Sequence, residues 1–376
     1  MLGAGTVGRE VVRGFLEHPE RLRSADGSPL ALVAVAVRDE ARARAGGIPP
    51  ELLSATPAHL VASADTDVIV EVMGGDEPAR TLVAAALSAG KSVVTANKHL
   101  IAHHGPELES IARRTGAALR FEAAVGGGIP VLGPLSTDLA ANRVTALRGI
   151  VNGTTNYVLT AMAEEGRSYE DVLVAAQAAG YAEADPSSDV EGHDAVNKVV
   201  ILARLAFGSW LDPAGIPNRV TRADGGAGAP GITGVTSEDL AAATASGWTL
   251  KLLASARIHD AAEPGGGRVA ASVVTTAVPT DSPLGRTGGV LNRIEIDAEP
   301  LGRVAFSGPG AGGGATASAV LGDLLAIARE LGSTWAGLAP AHPAPAPDAP
   351  TDGTAGSLSA DEWFDGPSGA RYPVAR

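Results

Sequence analysis

The stretch Gly3-Ala-Gly5-Thr-Val-Gly8 stands near the start of the chain, directly before a helical pattern at residues 9–16. A GxGxxG turn at a helix N-terminus lets backbone amides approach a pyrophosphate, because glycines leave no side chain in the way. A run of buried strand residues normally leads into the first glycine. Only Met1 and Leu2 precede it here. We therefore expect either a first strand that is a stub or a chain that begins late.

Alternating strand and helix patterns follow the glycine turn. Strands are predicted at residues 30–37, 66–73, 90–98 and 117–122, and helices at residues 78–89 and 106–115. This spacing is typical of βαβ units in a parallel, doubly wound sheet. Ligands of such sheets bind beyond the carboxyl ends of the strands. Arg38, Asn97-Lys98 and Glu122 lie at such ends.

Arg38 and Asp39 follow the strand predicted at residues 30–37. At this point of a dinucleotide-binding fold, a carboxylate binds the ribose 2′-hydroxyl and an arginine accepts a 2′-phosphate. Arg38 therefore favours NADP. The alternative is an arginine that simply leaves the strand for solvent.

The sequence pattern of alternating strands and helices changes after Glu122. Residues 123–130 form a glycine-rich loop, and a β-rich run at residues 143–151 leads into Asn152-Gly-Thr-Thr-Asn156. Polar residues at the end of such a run indicate a binding loop, with a plain Asn-Gly turn as the alternative. Short strand patterns at residues 251–258, 268–278 and 290–296 predict a second sheet. A second glycine cluster, at residues 308–312, precedes a helix predicted at residues 315–331, which we expect to return to the nucleotide domain.

Residues 180–198 gather five carboxylates, a histidine and a lysine between a glycine turn and an apolar helix. Asp194 and Lys198 are four residues apart, so they share one face of a helix that begins near Gly192. A lysine held in this way is partly desolvated, and its ammonium can exchange a proton with a bound substrate. The alternative is a surface ion pair on a helix capped by Ser188 and Glu191.

Composition excludes several classes of protein. The chain has no cysteine, which rules out a thiohemiacetal intermediate, a disulfide framework and a thiolate zinc site. A formal net charge of −13 argues against nucleic acid as a partner, because phosphate neutralisation needs a basic surface. No leader and no apolar run of membrane-spanning length is visible. We expect a cytoplasmic protein of two domains with no membrane partner.

Six stretches, in order, resemble the homoserine dehydrogenase family and together span most of residues 3–332. They are GAGTVG, VTANKHLIA, FEAAVGGGIP, GIVNGTTNYVL, GYAEADPSSDVEGHDAVNK and GPGAGGGATASAVLGDL. The resemblance implies an α/β fold with a Rossmann-like doubly wound parallel sheet and an α+β catalytic and dimerisation domain. It implies NAD(P)-dependent interconversion of L-aspartate 4-semialdehyde and L-homoserine, in threonine, methionine and isoleucine biosynthesis. NADP(H) is the expected cofactor, NAD(H) is possible, and the assembly is a homodimer or homotetramer.

The resemblance also implies roles for individual residues. Lys198 is the proton donor, with Asp194, Glu183 and Lys98 as the other catalytic residues. The substrate is expected to contact Gly180, Glu183, Asp189 and Asp194. The cofactor is expected to contact Gly3, Gly5, Thr6, Val7, Gly8, Arg38, Lys98, Gly180, Glu183 and Gly312. A monovalent cation, usually sodium, is expected on the loop carbonyls of Glu122, Val125, Gly127 and Ile129.

We expect three regions. Residues 1–125, completed by 307–333, form the nucleotide-binding domain, and residues 126–306 form the substrate-binding and dimerisation domain. Residues 334–376 are rich in proline and alanine, a composition typical of a disordered linker. They resemble the linker to a missing regulatory ACT domain, so threonine feedback through such a domain is expected to be absent.

Two other interpretations stay open. One is another two-domain NADP oxidoreductase such as a sugar dehydrogenase, although the usual Glu-Lys-Pro is replaced by Asn97-Lys-His99. The other is a catalytically impaired fragment that keeps the dimerisation domain. A missing central strand would leave its neighbours' edges unpaired.

Overall fold

The computed structural model describes residues 1–54, 56–259, 268–343 and 363–375. The chain divides into two compact units. Unit 1 contains residues 1–140 and 311–341, and unit 2 contains residues 141–310 and 342–376. The division falls at residue 140 rather than at the expected residue 125, because the loop and short helix that follow Glu122 pack within unit 1.

The α-helices of the described residues are, in chain order, α1 (Thr6–Glu17), α2 (Glu40–Ala45), α3 (Pro57–Ala62), α4 (Ala79–Ser88), α5 (Lys98–Thr115), α6 (Leu132–Ser136), α7 (Gly153–Glu165), α8 (Tyr169–Ala178), α9 (Ser187–Val190), α10 (His193–Phe207), α11 (Ser237–Ala245) and α12 (Gly313–Ala328). Short 3-10 helices lie at Pro19–Arg21, Pro50–Leu52, Glu122–Ala124 and Pro213–Gly215. In the part of the chain that the structure describes, no helix is both long and apolar enough to cross a membrane.

The strands are β1 (Val35–Ala36), β2 (Leu53–Ser54), β3 (Val68–Glu71), β4 (Ser92–Thr95), β5 (Leu119–Arg120), β6 (Arg143–Ile150), β7 (Ser209–Trp210), β8 (Arg219–Arg222), β9 (Ala227–Pro230), β10 (Trp248–His259), β11 (Arg268–Pro279), β12 (Leu291–Glu299), β13 (Gly302–Pro309), β14 (His342–Pro343), β15 (Trp363–Asp365) and β16 (Ala370–Pro373).

Unit 1 contains the expected doubly wound parallel sheet. β1 pairs in parallel with β2, and β3, β4 and β5 form a parallel ladder in that order. Leu2 bridges the two groups, because it pairs in parallel with both Ala36 of β1 and Glu71 of β3. Strands that come later in the chain thus lie on both sides of the first, which is the arrangement of a dinucleotide-binding fold.

The first strand is a stub, but its backbone is paired on both sides. Leu2 N–H donates to Val70 O over 2.7 Å, and Ala36 N–H donates to Met1 O over 2.8 Å. Leu2 is fully buried. The flanking strands are shorter than predicted, since β1 contains only residues 35–36 and β3 begins at residue 68. A groove of about 360 Å³ lies there, between residues 30–34 and 65–68.

Residues 311–341 belong to unit 1 together with residues 1–140. Helix α12 packs against α1, and Leu324 of α12 shares an apolar core with Val11, Val70 and Val94. Asp323, on the same helix, accepts from Arg120 Nε over 2.8 Å. This bond ties α12 to the end of β5.

Unit 2 is built on an antiparallel sheet with strand order β11-β10-β6-β12-β13. The strands predicted at residues 251–258, 268–278 and 290–296 are all present, with ends that differ by up to three residues. Residues of alternate position, such as Ile294 and Ile296 on β12, are fully buried. Helices α7, α10 and α11 contact β10, so one face of the sheet has a helical cover.

The expected disorder of residues 334–376 is wrong wherever the structure describes them. Trp335 is buried, and its ring lies 5.4 Å from that of Phe121. β15 and β16 form an antiparallel hairpin, β16 pairs with β8, and Tyr372 is fully buried. Proline and alanine dominate the composition of the tail, but its few aromatic residues provide enough apolar surface to anchor both ends. Residues 344–362 lie outside the described residues.

Candidate active site

The expected site residues divide between the two units. Unit 1 holds Gly3, Gly5, Thr6, Val7, Gly8, Arg38, Lys98, Glu122, Val125, Gly127, Ile129 and Gly312. Unit 2 holds Gly180, Glu183, Asp189, Asp194 and Lys198.

The glycine turn before α1 has room for a close ligand. A Cβ atom at Gly8 would lie 2.5 Å from Gly3 O, so a side chain there is excluded. Gly5 is the N-cap residue of α1, no side chain caps the helix, and its first turn holds no acidic residue. The first amides of a helix have no partner within the helix. They and the helix dipole therefore suit a phosphate.

The start of α12 adjoins the start of α1. Gly312 is the N-cap of α12 with φ 117°, and this helix also has no side-chain cap. A Cβ atom at Gly313 would lie 3.0 Å from Thr6 O and from Thr6 Cγ2. Two uncapped helix N-termini thus meet at one place in unit 1.

Arg38 lies exposed at the carboxyl end of β1. Its neighbour Asp39 is the N-cap of α2, and Asp39 Oδ1 accepts from Arg42 N over 2.9 Å. One carboxylate oxygen of Asp39 is therefore engaged in capping. The Arg38 guanidinium at the end of β1 is thus next in sequence to a carboxylate, that of Asp39, which already caps α2.

A buried carboxylate that the sequence analysis did not identify lies at the end of β3. Glu71 is fully buried, and its Oε1 accepts from Met73 N over 2.7 Å and from Gly74 N over 3.1 Å. Its Oε2 accepts from Thr95 Oγ1 over 2.6 Å. These bonds join the loop after β3 to the end of β4. An acidic residue closing an apolar strand was the only sequence signal for it.

Asn97 links the same network to α5. Its backbone N–H donates to Thr95 Oγ1 over 3.0 Å, and its Nδ2 donates to Gly75 O over 2.7 Å. Its Oδ1 caps α5 by accepting from Leu100 N over 3.1 Å. Lys98 is the first residue of that helix. The network therefore fixes the backbone from which the Lys98 side chain projects.

The glycine-rich loop after β5 is held by one carboxylate. Glu122 accepts from Val131 N over 2.7 Å, from Leu132 N over 2.8 Å and from Gly133 N over 2.6 Å. Burial raises the pKa of Glu122, and the backbone donors oppose that shift. The loop is thus closed by contacts within unit 1.

Three of the four carbonyls expected to bind a cation accept no hydrogen bond from the residues that the structure describes. Among the described residues, no hydrogen bond reaches the carbonyl oxygens of Val125, Gly127 or Ile129, whereas Glu122 O accepts from Val125 N over 3.4 Å. Val125, Gly127 and Ile129 are buried. Buried carbonyls are almost always paired. An unpaired set in a tight glycine turn fits a cation that takes carbonyl oxygens as ligands.

Asp194 and Lys198 lie on the buried side of α10. Lys198 Nζ donates to Val151 O over 2.6 Å and to Asp194 Oδ2 over 2.7 Å. The side chain of Lys198 is 9% exposed and that of Asp194 is 5% exposed. Gly192 is the N-cap, and no side chain caps the helix. The shared face is confirmed, and the alternative of a capped surface pair is wrong.

Asn152 joins this pair to a further carboxylate. Its Nδ2 donates to Asp189 Oδ1 over 2.8 Å and to Asp194 Oδ2 over 2.9 Å. The Thr154 hydroxyl lies 3.0 Å from Asp189 Oδ2 and 2.8 Å from Tyr181 O. The sequence marked this polar run as a binding loop but assigned no role to Asn152. The structure thus brings Asp189, Asp194 and Lys198 together.

Gly180 and Glu183 lie in the loop between α8 and α9. Gly180 has φ 78°, a left-handed conformation that favours glycine. Glu183 is exposed, and its carbonyl accepts from Gln177 Nε2 over 3.0 Å. Within the described residues, no hydrogen bond or ion pair links the Glu183 carboxylate to the Lys198 cluster.

Comparisons with known proteins agree over nearly the whole chain. The family model described as homoserine dehydrogenase matches residues 130–325, and the model described as homoserine dehydrogenase, NAD binding domain, matches residues 3–122. The homoserine dehydrogenase of Corynebacterium glutamicum is 45% identical over 88% of this chain and 71% of its own length. That of Bacillus subtilis is 38% identical over 88% of this chain and 72% of its own length.

Solved structures give the same result. A homoserine dehydrogenase from Thiobacillus denitrificans matches with a TM-score of 0.82 and 36% identity, over 92% of this chain and 78% of that one. A hyperthermophilic archaeal homoserine dehydrogenase in complex with NADPH matches with a TM-score of 0.68 and 28% identity, over 86% of this chain and 95% of that one. The sugar dehydrogenase alternative is therefore excluded. The chain belongs to the homoserine dehydrogenase family of nicotinamide-dependent oxidoreductases.

Proposed function

We propose that Lys198 gives a proton to the carbonyl oxygen of L-aspartate 4-semialdehyde as this aldehyde is reduced to L-homoserine, and takes it back in the reverse reaction. The observation that carries the proposal is the buried ammonium of Lys198, held by Val151 O and Asp194 Oδ2. A positioned ammonium stabilises the negative charge that develops on the oxygen and supplies the proton that neutralises it.

The bound nicotinamide supplies a hydride to the aldehyde carbon, which becomes the alcohol carbon while the nicotinamide is oxidised. The residues of the chain position the reacting groups and supply the charges of the site. Asp194 holds the Lys198 ammonium, and its low exposure keeps competing water away from the pair. Asp189 and Glu183 are assigned to the polar groups of the amino-acid substrate, because carboxylates form strong, charge-assisted bonds with an ammonium. Gly180 shapes the loop that carries Glu183.

NADP(H) is the proposed cofactor, with NAD(H) as a weaker one. The uncapped starts of α1 and α12 suit the pyrophosphate, and the exposed Arg38 guanidinium suits a 2′-phosphate. Lys98, fixed at the start of α5, is assigned to the nicotinamide and substrate end. The neighbouring archaeal structure is a complex with NADPH, which supports a phosphorylated cofactor here.

A sodium ion is proposed on the loop carbonyls of Glu122, Val125, Gly127 and Ile129. The support is that Val125, Gly127 and Ile129 are buried and their carbonyls accept no hydrogen bond from described residues. Exchange of sodium for the bulky choline cation is expected to lower thermal stability. Unchanged melting in choline, at equal ionic strength, would contradict a bound cation.

Assembly as a homodimer or homotetramer, a cytoplasmic location and a place in threonine, methionine and isoleucine biosynthesis are proposed from the family resemblance. Light scattering on the purified protein tests the assembly. A monomer at micromolar concentration would contradict it.

The reaction is tested by following the absorbance of reduced nicotinamide with the purified chain. L-Homoserine with NADP⁺ and L-aspartate 4-semialdehyde with NADPH are expected to react. D-Homoserine and L-serine serve as controls, because they change the stereocentre and the chain length without removing the alcohol. Equal rates with all three alcohols would contradict an amino-acid site built from Asp189, Asp194 and Glu183.

A further inference from the structure

Asn152 occupies a junction between three elements of unit 2. It follows β6 and is the N-cap of α7, with its Oδ1 accepting from Thr155 N over 2.9 Å. Its Nδ2 reaches Asp189 on α9 and Asp194 on α10, over 2.8 Å and 2.9 Å. One neutral side chain thus caps a helix at one end and bridges two carboxylates at the other.

The orientation of this amide follows from its partners. The Thr155 N–H is a donor, so it must meet the oxygen of the amide, and carboxylates only accept, so they must meet the nitrogen. A flipped amide would set donor against donor and acceptor against acceptor. Each of the two hydrogens on Nδ2 is therefore directed to a different carboxylate.

The bridge has an electrostatic consequence. Asp194 Oδ2 accepts from Lys198 Nζ and from Asn152 Nδ2 at the same time. Asp194 and Asn152 are 3% and 6% exposed. Two like charges close together in such surroundings repel each other strongly unless donors lie between them. The Asn152 amide supplies those donors without adding charge, so the Asp194 carboxylate that accepts from Lys198 is held in place by a second donor.

We propose that Asn152 is a positioning residue for the Asp194 and Lys198 pair, and that its bridge sets the pH range in which Lys198 exchanges its proton. The proposal rests on the proposed role of Lys198. Among the described residues, the Asn152 amide bonds to the titratable groups Asp189 on α9 and Asp194 on α10, and Asp194 Oδ2 also accepts from Lys198 Nζ.

Asn152→Ser separates capping from bridging. Serine is a good N-cap residue, but its single short hydroxyl cannot reach both carboxylates. We expect a melting temperature near that of the wild type and a fall in kcat of about 10- to 100-fold, the effect of a slightly misplaced catalytic group. The KM for NADP⁺ is expected to stay unchanged. Wild-type kcat in a well-folded Asn152→Ser protein would overturn the proposal.

Asn152→Asp tests the pH dependence. An added carboxylate stabilises the ammonium form of Lys198, so the neutral form that accepts the hydroxyl proton of homoserine, as NADP⁺ oxidises it, is reached only at higher pH. The ascending limb of the kcat profile for homoserine oxidation is expected to move up by about one pH unit, the size of shift that a nearby opposite charge produces. A purely structural role would leave the limb in place.

Asn218→Asp is the matched control. Asn218 also lies in unit 2, but its Nδ2 donates to the backbone carbonyl of Glu191 over 3.0 Å rather than to a carboxylate. The same charge change there is expected to leave the limb unmoved. An equal shift in both variants would overturn the proposal.

Lys198→Ala distinguishes a failure of the proposed function of Lys198 from a failure of the proposed role of Asn152. If Lys198→Ala keeps full activity, the proposed function of Lys198 has failed. If Lys198→Ala is inactive and the Asn152→Asp limb does not move, only the role of Asn152 is rejected.

Discussion

The Lys198 ammonium and the Asp194 carboxylate lie one turn apart on α10 and are joined by a hydrogen bond of 2.7 Å. Both side chains are at least nine-tenths buried. A buried ion pair is weak evidence for stability, because desolvation of the two charges offsets much of their attraction. The burial of this pair is better explained by chemistry that needs a lysine of fixed position and controlled protonation.

Replacement of Lys198 tests that chemistry directly. Lys198→Ala removes the proposed proton donor, and we expect kcat with L-aspartate 4-semialdehyde to fall by about 10²- to 10⁴-fold, the usual range for general acid catalysis. The Kd for NADPH is expected to stay near that of the wild type. Steady-state kinetics and calorimetric titration measure the two quantities.

Lys251→Met is the control for Lys198→Ala. Lys251 is a second buried lysine, which donates to Asn156 Oδ1 over 3.0 Å and to Thr287 O over 2.9 Å. Burial lowers its pKa to about 8. Its loss is expected to lower stability while kcat stays within a few-fold of the wild type. A similar collapse of kcat in both variants would mean that any buried lysine of unit 2 is needed merely for folding.

Arg38→Ala is expected to change cofactor preference. A guanidinium forms strong bonds with a 2′-phosphate and has no comparable partner on a 2′-hydroxyl. We expect kcat/KM for NADPH to fall about tenfold or more, the value of one charge-assisted hydrogen bond, while kcat/KM for NADH stays unchanged. Arg44→Ala is the control, because Arg44 is already paired with Glu40 over 3.2 Å. An unchanged NADPH preference in Arg38→Ala would assign the phosphate to another residue.

The C-terminal hairpin of β15 and β16 allows a test of folding stability in which the catalytic rate is expected to stay unchanged. Tyr372 is fully buried and donates to Asp239 Oδ2 over 2.7 Å, and burial together with Asp239 raises the pKa of Tyr372. Tyr372→Phe leaves the buried Asp239 carboxylate with one donor fewer. We expect a loss of about 1–3 kcal/mol in the free energy of unfolding, measured by urea unfolding, with kcat unchanged.

Asp365→Asn is the comparison for Tyr372→Phe. It removes the exposed ion pair with Arg371, which spans 2.8 Å in the same hairpin. Exposed pairs contribute little, so we expect almost no change in unfolding. Equal losses in the two variants would contradict a specific role for the bond between Tyr372 and Asp239.

The sequence identified the parallel sheet and the helix that carries Lys198 because both depend on local patterns. Apolar runs and glycine turns mark buried strands and helix starts, and the four-residue spacing of Asp194 and Lys198 fixes their common face. The sequence pattern predicts that α5 starts at residue 106, because proline is favoured at a first helical position; this start is wrong. The Asn97 cap and the buried Leu100 and Ile101 begin the helix eight residues earlier.

Other parts of the site depend on contacts between distant residues. Asn152 acquires its role only when the fold brings it to Asp189 and Asp194, 37 and 42 residues away. Glu71 and Thr95 meet across adjacent strands, 24 residues apart. No local pattern records such proximity. Average composition likewise hides the few aromatic residues, Trp335 and Tyr372 among them, that anchor the tail.

The buried N-terminal ammonium beside the groove at Met1 is expected to make the stability of the chain depend on pH. In the chain that starts at Met1, the α-ammonium donates to Ala34 O over 2.7 Å, and burial lowers its pKa from 8.0 to about 6. Between these values the unfolded state binds more protons than the folded state, so stability is expected to rise as the pH increases from 6 to 8.

An extension of roughly five apolar residues before Leu2, a typical strand length, would carry the terminus out of the groove and pair residues 30–34 and 66–67. We expect the extended chain to melt several degrees higher, to bind NADPH more tightly and to lose the pH dependence between 6 and 8. An extension of equal length made of glycine and serine is the control, because it supplies backbone but no apolar side chains. Thermal melts and calorimetric titration of the three chains decide the matter: equal melting temperatures and equal affinities would mean that Met1 and Leu2 suffice to aim the glycine turn.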